Sequence, residues 1–342
     1  MTTVPMPMPS RSRFAALVDV AAEVAGIASA DAAQLAETLL AIPPDDVGPR
    51  GGVSGLNYDQ SPLQLCISLG PEGLHAKLMA DPASTLGDAA MRYDASYAAL
   101  LDTIPLARTP DMREICERTL RLNLPESRGG LAEYPDGILW LGAGAGIPGI
   151  AMYVDARRGG PDAAWPRLRA WFSALLPDAS AMTSAIDAIE NDALLMCLGV
   201  EGISPAMARA KLYWRLSAPK PLDAIGIPRF ADPRFRRFLE IVMRDREIRL
   251  TGIVPSIGFR IDTGALSDVK LDVCTCRGCL DFDAAAWREI LEQLSLEFGF
   301  RSVPIERWLS TSELAFAGFG IDHRETPRLN LYLKEQPLRT TR

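Results

Sequence analysis

Two kinds of periodicity alternate along the chain. Short segments with apolar residues at every second position read as half-buried strands. They come in pairs: 63–69 with 73–80, 137–142 with 149–156, 194–201 with 208–216, 250–260 with 268–275, and 312–319 with 328–334. Between the pairs, apolar residues recur at helical spacing over 87–105, 109–122, 163–175, 179–191, 233–245 and 284–298. Two further helices, near 12–27 and 30–42, precede the first pair. The second strands echo one another, with Tyr153, Tyr213, Asp272 and Tyr332 spaced by 60, 59 and 60 residues; Met79 takes the matching place 74 residues before Tyr153. A fixed period of this size means one supersecondary unit used repeatedly, here a β-hairpin flanked by two helices.

Side chains on a strand alternate between faces. One face of 208–216 carries Arg209, Lys211 and Tyr213, and the other Leu212 and Trp214. Segment 328–334 sets Arg328, Asn330, Tyr332 and Lys334 against Leu329, Leu331 and Leu333; segment 268–274 sets Asp268, Lys270 and Asp272 against Val269, Leu271 and Val273. His75, Lys77 and Met79 likewise oppose Ala76 and Leu78. Amphipathic helices can cover the apolar face. The polar face then meets bulk water, in an open sheet, or a wet lumen, in a closed one. Closure removes exposed edges, and repeated hairpins suit a ring. A solvated face would also mix Lys with Glu and Asp, whereas this one is biased to cations and tyrosine. The expected fold is α+β: a ten-stranded antiparallel β-barrel of repeated α-β-β-α units, with helices outside and a polar lumen. It fills one domain over 14–336, between tails at 1–13 and 337–342.

Composition narrows the function. The 342 residues are 48% hydrophobic and 23% charged, with a net charge of -7. That balance suits a soluble globular protein and argues against a general nucleic-acid partner. Met1–Arg13 has no apolar run and reads as a tail, not a signal peptide. No stretch approaches the ~18 apolar residues of a membrane span, so no membrane partner and a cytoplasmic location are expected. The cysteines are therefore read as reduced thiols. Cys274, Cys276 and Cys279 are the only cluster, and no fourth ligand stands at zinc-site spacing, so no metal site is assigned.

The inward candidates are Lys77, Arg209, Lys211, Lys270 and Arg328, with Tyr153, Tyr213 and Tyr332; Asp272 is the one acid among the second-strand positions at that level. Converging cations are costly to bury without a partner. A bound polyanion resolves this, because Arg and Lys both suit phosphate oxygens. Aromatic faces stabilise a nearby cation. A pocket that holds a diphosphate and shields a carbocation is what transfer of an allylic group requires.

Here the sequence resembles the ABBA-type aromatic prenyltransferases, ten-stranded barrels of α-β-β-α units, in their dimethylallyltryptophan synthase branch. That branch carries Arg-x-Lys-x-Tyr on a barrel strand, matched by Arg209-Ala210-Lys211-Leu212-Tyr213. Its Arg followed by Glu-Pro is similar to Lys77-Leu78-Met79-Ala80-Asp81-Pro82, and its later tyrosines resemble Tyr153 and Tyr332. The likeness spans roughly 54 to 335. It implies an enzyme that moves a dimethylallyl or geranyl group from a prenyl diphosphate to an electron-rich acceptor. The acceptor would be an indole or tryptophan derivative, a phenol, or a peptide side chain. The resemblance requires no cofactor and leaves magnesium open. It assigns Lys77, Arg209 and Lys211 to the diphosphate, where strand alternation adds Lys270 and Arg328, and it assigns Tyr153, Tyr213 and Tyr332 to the cation shield.

The departures fall on the acceptor side. The family's Thr-Pro-x-Glu-x-Ser supplies a carboxylate base, but the matching stretch here, Ser61-Pro62-Leu63-Gln64-Leu65-Cys66, offers Gln64. An amide accepts a hydrogen bond and takes no proton at neutral pH. Ala151 replaces a frequent Lys, and Asp272 a tyrosine. Gln64 is therefore expected to orient the acceptor, with Asp272, His75 or diphosphate taking the proton. Two other readings compete. Gly144-Ala145-Gly146-Ile147-Pro148-Gly149 matches the Gly-x-Gly-x-x-Gly of nucleotide or S-adenosylmethionine sites, although Ile150–Val154 reads as a strand and Asp155 comes too early for a ribose-binding acid. The loss of the carboxylate at 64 also suits a non-catalytic binder of a phosphorylated or peptide ligand. Pro43-Pro44-Asp45-Asp46 reads as a loop, and Trp165, Trp171, Trp287 and Trp308 read as core.

Overall fold

The computed structural model describes residues 14–41, 54–134, 137–218, 220–244, 246, 252–275, 280 and 282–336. The expected tails, the Pro43–Asp46 loop, Cys276 and Cys279 lie outside the described residues. The alternating segments become ten strands: β1 (Leu63–Gly70), β2 (Gly73–Ala80), β3 (Leu139–Ala145), β4 (Ile150–Asp155), β5 (Ala193–Gly202), β6 (Arg209–Leu216), β7 (Ile253–Arg260), β8 (Leu266–Cys274), β9 (Ser312–Asp322) and β10 (Pro327–Glu335). Each pairs antiparallel with its sequence neighbours, and β1 closes on β10 to complete a barrel. All five hairpin turns therefore share one end, and the helical connections share the other.

The helices are α1 (Ala15–Ala25), α2 (Ser29–Leu40), α3 (Ala89–Leu106), α4 (Arg113–Asn123), α5 (Pro161–Leu175), α6 (Ser180–Ile189), α7 (Pro233–Met243), α8 (Ala284–Phe298) and the short α9 (Ile305–Leu309). Asp88, Asp232 and Asp283 cap α3, α7 and α8 by accepting from the N–H of Met91, Arg234 and Ala286 at 2.8, 2.9 and 2.8 Å. Each such cap is worth about 1 kcal/mol. In α5 the buried positions Ala164, Trp165, Leu168, Trp171, Phe172 and Leu175 form one helical stripe. Trp287 and Trp308 are buried as well.

The apolar core lies between this helical layer and the outer face of the barrel. Leu65, Leu78, Leu141, Leu212, Leu271 and Leu331 are all fully buried there. Phe319 of β9 shows how the layers lock. It meets Phe235 and Phe238 of α7 at ring-centroid distances of 5.4 Å each, and Phe298 of α8 at 4.7 Å. Truncating such a ring costs about 3–5 kcal/mol.

The inner face is polar, and glycines make room for it. Gly258 stands beside Asp268 and Gly318 beside Asp272 in the strand register. A Cβ on either glycine would overlap the neighbouring carboxylate, so both acids lie flat against the wall. Bulges at Leu195/Cys197, Gly258/Phe259 and Tyr332/Leu333 bend strands beside lumen residues.

The glycine-rich 144–149 stretch is a hairpin turn. The Gly144 N–H donates to the Gly149 carbonyl at 3.0 Å, and β4 starts at Ile150. No helix opens there to present its N-terminus to a phosphate, which overturns the nucleotide and S-adenosylmethionine reading. Among the described residues, no helix is long and apolar enough to cross a membrane.

Candidate active site

Period-two alternation sends Arg209, Lys211, Tyr213 and Arg215 of β6 to one inner face. Lys77 and Met79, Tyr153, Lys270 and Asp272, Arg328 and Tyr332, and Gln64 and Cys66 join them from β2, β4, β8, β10 and β1, around a cavity of about 200 Å³. The structure thus brings together every expected site residue except His75. His75 pairs with Ser68 near the β1–β2 turn and is half-buried outside the cavity wall.

The cations are graded in depth. Lys77, Arg209 and Arg328 keep side-chain exposures of 32%, 23% and 30%, whereas Lys211 and Lys270 are at 1% and 3%. The exposed three lie toward the hairpin-turn end and form a basic mouth.

These cations are not without partners, which corrects the expectation of a cluster left unpaired until a polyanion binds. Glu201 of β5 accepts from Lys77 at 3.0 Å and Arg209 at 2.6 Å, and lies 3.6 Å from Lys211. Asp268 pairs with Arg209 and Lys211, each at 3.0 Å, with Arg328 at 3.7 Å. Asp272 pairs with Lys270. Six basic side chains, Arg215 included, thus face three acids, and the lumen retains a positive excess.

Burial pushes the Glu201 carboxyl up, but Arg209, Lys77 and Lys211 outweigh it and hold it well below the usual carboxylate range. Burial is likewise outweighed at Asp268 by Arg209, Lys211 and Arg328, and its carboxyl is lowered. Burial pulls the Lys211 ammonium down to about 8, against the pull of Asp268 and Glu201. Burial followed by nearby Glu201 or Asp272 raises the phenols of Tyr153, Tyr213 and Tyr332 well above their ordinary value, so they stay neutral.

The rings stand next to the charges. Tyr153 donates its O–H to Glu201 at 2.8 Å, and its ring meets Tyr213 edge-on at 5.5 Å. The Lys270 ammonium sits 5.2 Å from the Tyr213 ring and 5.0 Å from that of Tyr332, and donates to the Tyr332 hydroxyl at 2.6 Å. Two of the three rings therefore already flank a positive charge.

Beyond the tyrosines the wall turns apolar, with Leu56, Met79 and Trp140 packed against Tyr153. The Trp140 indole N–H donates to Asp81 at 3.2 Å, and Arg92 of α3 grips the same carboxylate at 2.7 Å. Burial raises this acid to about 6 despite Arg92. Asp81 thus anchors Trp140 from behind and does not reach the cavity. Gln64, 3% exposed, donates its Nε2 to Asn57 Oδ1 at 2.8 Å.

Sequence reasoning missed Glu201 and Arg215. Arg215 continues the alternation of Arg209, Lys211 and Tyr213. Glu201 follows the apolar run LLMCLGV of β5, which shows no alternation. Among the described residues, no group of three or more His, Cys, Asp or Glu side chains is placed to hold a metal ion.

No family model matches the chain, and no curated protein matches it. Solved structures do. Prenyltransferase PriB, in its complex with product diphosphate, is 20% identical with a TM-score of 0.73, covering 94% of this chain and 95% of that one. The 5-dimethylallyl tryptophan synthase of Streptomyces coelicolor gives 17% and 0.77, with 97% and 96% covered. The 6-dimethylallyltryptophan synthase of Micromonospora olivasterospora gives 15% and 0.76, with 94% and 96% covered. The latter two hold DMASPP and Trp. At these identities the likeness establishes a shared fold, the closed barrel with helices around it.

Proposed function

We propose that the protein transfers a prenyl group from a prenyl diphosphate to an electron-rich aromatic acceptor inside the barrel. The observation that carries this reading is the adjacency of a basic mouth and a triad of neutral tyrosines in one cavity. Lys77, Arg209, Lys211 and Arg328 hold the diphosphate, with Lys270 at its inner edge. The allylic C–O bond breaks, and the electron pair leaves with the diphosphate. The allyl cation sits among Tyr153, Tyr213 and Tyr332, whose ring faces stabilise positive charge. An aromatic carbon of the acceptor then forms the new C–C bond, and the ring proton passes to the diphosphate or to Asp272. That structural neighbours were solved with product diphosphate and with DMASPP and Trp supports prenyl transfer and favours an indole acceptor. The lysines and arginines supply the countercharge, and we infer that turnover needs no added metal, a point checked by chelation with EDTA.

The amide at Gln64 favours a second reading, a binder that does not turn over. Release of inorganic pyrophosphate from dimethylallyl or geranyl diphosphate distinguishes the two. Release that depends on an aromatic acceptor supports transfer. Binding of the donor without acceptor-dependent release supports the binder.

A further inference from the structure

The amide pair at the inner end of the cavity has only one consistent orientation. Asn57 Nδ2 lies 2.9 Å from the Ser61 carbonyl and 3.1 Å from the Leu63 carbonyl. Backbone carbonyls only accept, so the amide nitrogen must occupy that side. Asn57 Oδ1 therefore faces Gln64 and needs a donor, which is Gln64 Nε2 at 2.8 Å. The remaining end of the Gln64 amide is its carbonyl. Gln64 lines the cavity, and among the described residues no donor engages its Oε1. Both residues are almost fully buried, Asn57 at 4% and Gln64 at 3%, where a mispaired polar group is costly.

We infer that Asn57 locks position 64 as an amide and turns its carbonyl toward the cavity. This wall is then built to receive an N–H or O–H of the acceptor and not to remove a proton. The term acceptor rests on the proposed prenyl transfer; the lock itself does not. A carboxylate at 64 would set two oxygens against each other at the Asn57 contact. It must either keep its proton or force Asn57 to turn over and abandon both backbone carbonyls. Asn57 is thus a positioning residue that selects amide over acid at this place, and simple restoration of a carboxylate does not restore a base.

The test compares Gln64→Glu with wild type, and Asn57→Ala/Gln64→Glu with Asn57→Ala, by thermal and urea unfolding between pH 5 and 8. A carboxyl that keeps its proton in the folded state makes the folded protein bind more protons than the unfolded one. Relative stability then falls as pH rises above ~4.3, until the raised folded value is passed. Gln64→Glu should show this fall. The fall should shrink in the Asn57→Ala background by roughly tenfold in unfolding constant per unit of raised pKa that Asn57 contributes. A Gln64→Glu protein that folds at pH 5 and not at pH 8 gives the same answer. Equal pH slopes in the two backgrounds overturn the lock. Should Asn57→Ala not fold, a carbon-13 titration of the introduced carboxyl in Gln64→Glu decides: a value in the ordinary glutamate range overturns it. None of these readouts requires catalysis. With indole and dimethylallyl diphosphate, Gln64→Met should raise the acceptor KM by roughly threefold to tenfold, the scale of one neutral hydrogen bond. Its kcat and its affinity for inorganic pyrophosphate should hold. An unchanged KM overturns the acceptor contact.

Discussion

Glu201 stands where a bound diphosphate would compete for the same cations, and Glu201→Gln tests that competition. The carboxylate contacts Lys77 at 3.0 Å and Arg209 at 2.6 Å, lies 3.6 Å from Lys211, and accepts from the Tyr153 hydroxyl at 2.8 Å. The amide keeps the shape and an acceptor for Tyr153, and removes the charge. A diphosphate held by Lys77, Arg209 and Lys211 would lie on the order of 5 Å from Glu201. Unit charges at ~5 Å repel by about 3 kcal/mol at an effective dielectric of ~20. The open mouth and its salt reduce this to about 1–2 kcal/mol, a gain in pyrophosphate affinity of roughly tenfold. The ligand-free protein moves the other way, because breaking a buried pair costs about 3–5 kcal/mol. Calorimetry with inorganic pyrophosphate at fixed ionic strength, together with melts with and without it, reads both. Expected are tighter binding, a lower Tm without ligand, and a larger rescue by pyrophosphate than in wild type. Weaker pyrophosphate binding in Glu201→Gln would refute the competition and make Glu201 part of the scaffold that holds the cations for the ligand.

Arg209→Ala and Lys211→Ala should each weaken binding of a dimethylallyl thiolodiphosphate by about 1.5–3 kcal/mol, the range for charge-assisted hydrogen bonds; unchanged calorimetric affinity in both would remove them from the donor site. Because Lys211 loses its proton at about 8, while a bound diphosphate favours its charged form, donor binding should take up a proton and weaken as pH rises above 8. Lys211→Arg should flatten that dependence, since arginine stays charged. Tyr213→Phe keeps the ring and should retain most turnover, whereas Tyr213→Ala should lose far more; equal activity of Tyr213→Ala and wild type would count against the cation shield. Gly318→Ala drives a Cβ into the Asp272 carboxylate and should cost about 1–3 kcal/mol by overpacking, read as a lowered denaturant midpoint.

The barrel was legible because its strands announce themselves twice. The second strands β2, β6, β8 and β10 alternate polar and apolar residues, and β4, β6, β8 and β10 carry Tyr or Asp at nearly constant spacing. That pattern placed Lys77, Tyr153, Arg209, Lys211, Tyr213, Lys270, Arg328 and Tyr332 in one lumen. The acids were harder to read. Asp268 lies on the same face as Lys270 and pairs with residues 59 and 57 positions away on β6, a contact that only the strand register reveals. Glu201 ends the apolar run of β5, whose bulge at Met196 shifts the phase of its alternation. His75 shares a face with Lys77, yet one further step along β2 carries it out of the cavity wall. Alternation fixes a side chain's face and leaves its depth open. The Asn57 contact escaped for a different reason: residues 54–61 carry no period, and their geometry follows from side-chain hydrogen bonds to backbone carbonyls.

The most direct test of prenyl transfer is the mass of the acceptor. Wild-type protein would be incubated with dimethylallyl diphosphate and a mixed panel of tryptophan, indole, naphthol and a short Trp- and Tyr-containing peptide, with Arg209→Ala alongside. Expected is an acceptor heavier by one prenyl group, attached at its aromatic ring, in the wild-type reaction, and far less of it with Arg209→Ala. Full donor binding with no mass gain anywhere in the panel, repeated with geranyl diphosphate, would contradict prenyl transfer.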